Sequence, residues 1–554
     1  MADVGALART WLEAAGRREA LLAAVLAAAT VALVRLVAPI GIDTAAHAYQ
    51  TLRWLQSGFQ FWDNYWYDGR YSFIDYSLLY YPIAGLVGEL PTVLATVSAS
   101  GFLFARLVAG RFGSSSPWPA RAFAVTAGIT VWLSGEYPFA LGLALALAAL
   151  SLRQHRRAPL TALFALATLL ASPLAFLFLL MAFAGIALAA SWRALSRPDL
   201  VIGLGLCALV AAALEAGFPI TGSFHFNFWA LFQVLGISAI ALLASAGLRG
   251  VGAIRGVFAA MAGAAVGAYL LPSPLGGNAT RLVDYFGAPL VWILLDRRNP
   301  RRRRGRLLAG AVAAIVLAGQ LAPTIVSASM ALDTSSNHAS FWQGAIRFLR
   351  AHASPAFRVE AVDTADHSDA YYLPAAGIPI VRGWFRQDDF PDNALLYGPA
   401  VPAGAYRLWL RRNAVRYVVL PHDELDYSAE AEAALLSSGR SGLVPAYRDR
   451  YVTVFRLPHP TPLLQAPPGR SARVLALGHD TLTAAVSGPG RYLLAISYTP
   501  YWQITSGGAC IAPAGGGFSA LVASGLATIT LRFDPVLADL LSTPAQSCRT
   551  AGGG

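Results

Sequence analysis

Up to about residue 330 the chain alternates long apolar runs with short polar breaks, and beyond that point the runs stop. The apolar stretches occupy 19–40, 78–111, 118–134, 137–152, 158–171, 173–191, 200–216, 226–247, 252–271, 282–296 and 307–327. A helix needs about 20 apolar residues to cross a hydrocarbon core, so the pattern predicts about eleven crossings. The 78–111 stretch is long enough for a short re-entrant piece followed by a full helix. The first run is too long for a secretory peptide and has no small-residue cleavage site before Asp43, so it is expected to remain as an anchor.

The pattern changes after residue 330. "FWQGAIRFLRAH" has the period of an amphipathic helix, "FRVEAVD" and "VRYVVLP" read as strands, and "DELDYSAEAEAALLSSG" reads as a helix. These predict an α/β module over 331–465. From 466 to 554, "RVLALGHDTLTAAV", "GRYLLAISY", "FSALVAS" and "ATITLRF" alternate between apolar and polar positions. Gly- and Pro-rich turns separate them, as in an antiparallel β-sandwich. The predicted fold class is therefore a polytopic α-helical membrane protein. Residues 1–330 form its transmembrane domain, with a first outer loop at 41–77, and a C-terminal α/β plus β-sandwich region follows.

Composition agrees: of 554 residues, 56% are apolar and 13% charged, which excludes an ordinary soluble enzyme of this length. The formal charge of +12 does not require a nucleic-acid partner. Every basic residue is arginine, and the clusters fall in alternate breaks between apolar runs. They are Arg17/Arg18, Arg111/Arg121, Arg153/Arg156/Arg157, Arg193/Arg197, Arg249/Arg255 and "DRRNPRRRRGR" at 296–306. The positive-inside rule makes that side cytoplasmic. The expectation is a multi-pass protein of the inner (plasma) membrane with a cytoplasmic N-terminus and an extracytoplasmic C-terminal region. Cys207 lies inside a span. Cys510 and Cys548 fall in the outer region, where an oxidising compartment would let them form a disulfide.

The arginine-poor loops hold the candidate chemistry: 41–77, "SGEYPF" at 134–139, "EAGFPITGSFHFNFW" at 215–229 and "PSPLGGNATRLVDY" at 272–285. Asp43 and His47 are four residues apart, on one face of a predicted helix, and Asp63 and Asp68 follow in the same loop. Asp43 could serve as a helix cap alone. Yet four acidic or imidazole groups at a bilayer interface exceed what a cap requires. The aromatics Trp54, Trp62, Tyr65, Trp66, Tyr67 and Tyr71 suit either an interfacial belt or the lining of a sugar or prenyl groove. Glu136 and His225 are further candidates on other outer loops.

Arg281 stands against the positive-inside bias at the start of a span, where it could grip phosphate oxygens or simply snorkel. Arg35, near the outer end of the first span, could hold a phosphate or pair with a loop acid. Asp43, His47, Glu136 and His225 are all donors a divalent metal could use, although no local ligand motif occurs.

"IDTAAHAYQTLRWLQSG", "YPIAGLVGEL" and "WLSGEYPFALGLALAL", with the tail "YLLAISYTPYWQI", resemble the GT-C superfamily of membrane glycosyltransferases. In particular they are similar to bacterial membrane proteins labelled 6-pyruvoyl-tetrahydropterin-synthase-related, a label that implies no pterin chemistry. The resemblance implies an inverting transferase. Its donor would be a polyprenyl-phosphate sugar and its acceptor an extracytoplasmic glycan, lipid or protein. Asp43 would act as general base or acceptor-positioning group and His47 would assist it. Two other functions fit the same pattern. One is a transporter or flippase of lipid-linked glycans. The other is a non-catalytic envelope scaffold that binds polymers through "RGWFRQDDF" at 382–390 or "PYWQI" at 500–504.

Overall fold

The computed structural model describes residues 2–74, 76–113, 117–190, 198–219, 222–298, 303–330, 334–535 and 548. The chain divides into two compact units. One comprises 1–44, 76–215 and 219–332, the other 45–75, 216–218 and 333–554. The first outer loop therefore belongs to the second unit, not to the transmembrane domain that precedes it in sequence.

The first unit is helical. Its elements are α1 (Ala2–Val37), then, after α2 (Thr44–Ser57), α3 (Tyr80–Val87), α4 (Glu89–Phe112), α5 (Trp118–Ser134) and α6 (Tyr137–Gln154). They continue as α7 (Ala158–Ala171), α8 (Pro173–Ala190), α9 (Pro198–Gly217), α10 (Phe228–Ser245), α11 (Gly252–Leu270), α12 (Arg281–Arg298) and α13 (Arg303–Met330). Among the described residues, seven of these are long and apolar enough to cross a membrane: α1, α4, α6, α9, α10, α11 and α13.

Each of the other four predicted runs forms a helix with a visible reason for falling short. α5 and α7 have 17 and 14 residues, and the apolar stretch of α8 runs from Pro173 to Ala189, one residue less than α6 or α10. α12 carries Arg281, Asp284, Asp296, Arg297 and Arg298.

α1 shows how such helices pack. Ala20, Ala23, Ala27 and Val31 are buried at helical spacing, whereas Leu21, Leu22, Val25, Leu33 and Leu36 are exposed. Small residues let neighbouring backbones approach, and large apolar ones face the surroundings, as expected where lipid replaces water.

In the second unit, strands β1 (Trp62–Asp63) and β2 (Arg70–Tyr71) make a hairpin from the first outer loop. The α/β module has β3 (Arg358–Ala361), β4 (Val415–Pro421), β5 (Val444–Arg448) and β6 (Val452–Arg456) in the order β3-β4-β6-β5. Only the β3–β4 pair is parallel. The amphipathic helix α14 (Ala339–Ala351) buries Phe341, Trp342, Ala345 and Leu349 on one face.

The last region has β7 (Leu464–Gln465), β8 (Ala472–Leu477), β9 (Thr481–Ser487) and β10 (Gly490–Ser497). β11 (Trp502–Ser506), β12 (Ala509–Pro513), β13 (Phe518–Ala523) and β14 (Leu526–Phe533) complete it. They form two antiparallel four-stranded sheets, β12-β13-β10-β7 and β11-β14-β9-β8. A disulfide joins Cys510 on β12 to Cys548.

Candidate functional site

Two breaks between helices of the first unit touch through their backbones. The Asp43 N–H donates to the Ser134 carbonyl at 3.0 Å. A Cβ on Gly41 would lie 2.2 Å from the Gly135 nitrogen, and one on Gly135 would lie 2.7 Å from the Thr44 nitrogen. Gly135 also has φ +76°, a left-handed conformation that costs glycine little. Both glycines are thus required where the α1–α2 break meets the α5–α6 break. The Thr44 hydroxyl adds a hydrogen bond, donating to the Tyr137 hydroxyl at 3.1 Å.

This contact brings together Asp43 and Glu136, and α12 supplies the counter-charge from its first residue. Arg281 Nη2 lies 3.3 Å from Asp43 Oδ2, and Arg281 Nε lies 2.9 Å from Glu136 Oε1. The guanidinium also sits over the Phe139 ring at 5.3 Å. The three side chains are 16%, 13% and 9% exposed for Asp43, Glu136 and Arg281. Removal from water disfavours the charged carboxylate, so burial pushes the Glu136 carboxyl up to about 7, with Arg281 pulling the other way. Burial and the negative charges of Asp43 and Glu136 push the Tyr76 phenol upward as well.

Sequence reasoning passed over two participants. Tyr76 lies in the field of this cluster, at the end of the first outer loop, where its neighbours' more numerous aromatics masked it. Asp284 stands one turn beyond Arg281 in α12, its carboxylate accepting from Gln233 Nε2 at 2.8 Å and Thr280 Oγ1 at 2.6 Å. An acid inside an apolar run, three residues after an arginine, was the available signal.

Arg35 is exposed in the last turn of α1, and His225 is exposed in the loop before α10. His47 is buried in α2, within the second unit. Asp68, also in that unit, is 2.9 Å from the fully buried Arg358, which in turn donates to the Ala495 carbonyl at 2.8 Å. Burial pushes the Asp68 carboxyl up to about 6 against the pull of Arg358. Asp63 accepts from the Tyr49 hydroxyl at 2.6 Å and lies 2.8 Å from His479 Nδ1. Asp63 and Asp68 therefore fasten the loop within the second unit. Among the described residues, no group of three or more His, Cys, Asp or Glu side chains is arranged to hold a metal.

Four of the loop aromatics left open between a belt and a groove do something else: they are core. Trp62 is 2% exposed, stacks on Phe533 at 5.3 Å and packs edge-on to Trp502 at 5.6 Å. Trp66 is fully buried and donates to the Ala370 carbonyl at 3.1 Å. Tyr65 and Tyr67 are buried too, and Phe385 N donates to the Tyr67 hydroxyl at 2.8 Å. The proposed polymer-binding stretches are likewise committed. Trp502 is buried, Arg382 pairs with Asp389 at 2.7 Å, and Trp384 stacks on His367.

A polytopic helical unit that holds a carboxylate–arginine–carboxylate cluster where its helices break, alongside a strand-rich C-terminal unit, defines a class of membrane protein rather than a particular one. No family model matches the chain, and no curated protein does. Among solved structures, the chain is similar to the arabinofuranosyltransferase AftD from Mycobacteria, with a TM-score of 0.46 and 17% identity. The match covers 79% of this chain and 40% of AftD.

Proposed function

We propose that the chain is a membrane glycosyltransferase of the GT-C type, which moves a sugar from a polyprenyl-phosphate carrier to a hydroxyl of an extracytoplasmic glycan, lipid or protein. The observation that supports this reading most strongly is that Arg281 contacts both Asp43 and Glu136. A hydroxyl is a weak nucleophile at neutral pH, and Asp43 accepts its proton as the oxygen attacks the anomeric carbon from the face opposite the phosphate. The bond from that carbon to the phosphate oxygen breaks, its electron pair leaves with the polyprenyl phosphate, and the anomeric configuration inverts.

The leaving group needs charge stabilisation more than protonation. Arg281 supplies it, because a guanidinium has five N–H donors and its carboxylate contacts engage Nε and Nη2. Glu136 holds the guanidinium in place, and its raised pKa lets it carry a proton near neutrality, which limits repulsion with Asp43.

The test uses the full chain in proteoliposomes with radiolabelled polyprenyl-phosphate hexoses and pentoses. Transfer from at least one donor is expected, with Asp43→Asn reducing it at least ~10²-fold at an unchanged melting temperature. Transport of a lipid-linked glycan without release of polyprenyl phosphate would instead favour the flippase reading.

A further inference from the structure

The first unit also contains a cavity of about 600 Å³ between α4, α6, α8, α11 and α12, within the 300–1,000 Å³ range usual for small-molecule sites. Its lining is strongly divided. One end holds four arginines: Arg111 at the end of α4, Arg153 in the last turn of α6, Arg156 in the turn that follows it, and Arg255 in the first turn of α11. Among the described residues, no aspartate or glutamate lines it. Apart from Gln154 the remainder is apolar, and it follows α12 from Ile293 through Phe286 to Leu282. At 1.5 Å per residue the eleven steps from Leu282 to Ile293 span roughly 16 Å, the length of a slot rather than a spherical void.

The basic end is built rather than incidental. Arg255 donates to the Ser245 carbonyl at 2.7 Å and to the Ser245 hydroxyl at 3.1 Å, which fixes its guanidinium. Arg111 and Arg297 both approach the Phe112 ring, at 5.8 and 5.5 Å. Gly252, Ala253 and Ile254 line the same end, so the first turn of the 19-residue helix α11, with its unsatisfied N–H groups, adds partial positive charge there. All four arginines lie on the side that the positive-inside rule assigns to the cytoplasm.

A concentration of guanidinium groups opening into a hydrocarbon slot is complementary to one kind of molecule. We propose that this cavity binds an anionic glycerophospholipid of the arginine-rich leaflet. Its phosphate lies among Arg111, Arg153, Arg156 and Arg255, and an acyl chain runs along α12 toward Leu282. The phosphate engages guanidinium N–H groups bidentately, and the chain is taken from the bilayer edge without exposure to water. Its lining does not include Asp43, Glu136 or Arg281, and the proposal does not depend on the transferase reading.

The experiment is native mass spectrometry of the full chain released from detergent after equilibration with equimolar dioleoyl-phosphatidylglycerol and dioleoyl-phosphatidylcholine. One phosphatidylglycerol is expected to be retained in preference to phosphatidylcholine. The double variant Arg111→Gln/Arg156→Gln, both at exposed positions, is expected to lower that retention about tenfold with an unchanged melting temperature. Ala182→Phe, which fills the apolar wall, is expected to lower retention while leaving all four arginines in place. Equal retention of the two lipids would overturn the proposal. So would wild-type retention by the arginine double variant, or selective retention of undecaprenyl phosphate over phosphatidylglycerol.

Discussion

Arg281 contacts Glu136 through Nε and Asp43 through Nη2, so one substitution removes both contacts at once. Arg281→Gln leaves two carboxylates facing each other, and loss of one partner from a buried ion pair costs about 3–5 kcal/mol. Arg281→Lys keeps the charge but has no planar fork to span both acids. Both variants are expected to lose at least ~10²-fold in transfer, measured as release of polyprenyl phosphate, with Arg281→Gln also melting lower. Glu136 gives a prediction in pH. Its carboxyl sits at about 7 in the folded chain against an ordinary 4.5, so between those values the folded state holds a proton that the unfolded state has released. Stability therefore falls as pH rises through that window, by at most about 3 kcal/mol, and Glu136→Gln is expected to flatten the slope in chemical denaturation. At this scale the sequence showed that Asp43, Glu136 and Arg281 were out of place among apolar neighbours. That they meet could not be read, because 93 residues separate Asp43 from Glu136 and 145 separate Glu136 from Arg281.

Among elements, the helix breaks matter as much as the helices. Gly41 and Gly135 let two of them touch, and a methyl group on either would overlap backbone atoms of the other break. Gly41→Ala is expected to separate Asp43 from Glu136 and to reduce transfer, while the helical circular dichroism of the chain is retained. The second unit makes the converse point with the β1–β2 hairpin. Trp62 and Trp66 are core residues, and Trp66→Ala is expected to cost about 3–5 kcal/mol, measured by thermal unfolding of the full chain. Apolar periodicity identified the helices well because each run is long and local. It was silent on the hairpin's surroundings, since an aromatic-rich loop looks the same whether its rings meet lipid, sugar or protein.

For the molecule as a whole, 45–75 and 216–218 are grouped with 333–554, so each unit is assembled from separated segments. The Cys510–Cys548 disulfide closes a 38-residue separation in the second unit, and bonds over loops of that size typically contribute about 2–4 kcal/mol. Cys510→Ser/Cys548→Ser is expected to lower the melting temperature by several degrees, and dithiothreitol should do the same to the wild-type chain but not to the variant. The sequence by itself determined the division into an apolar helical part and a strand-rich part, because hydrophobic length and alternation are local properties that every neighbouring residue shares. Only the tertiary structure decided which of the many polar groups come together, that Asp68 and Asp63 serve as fastenings, and that four of the loop aromatics form a core. Those outcomes depend on contacts between segments hundreds of residues apart. Burial and charge pairing act through space and leave no periodic trace along the chain.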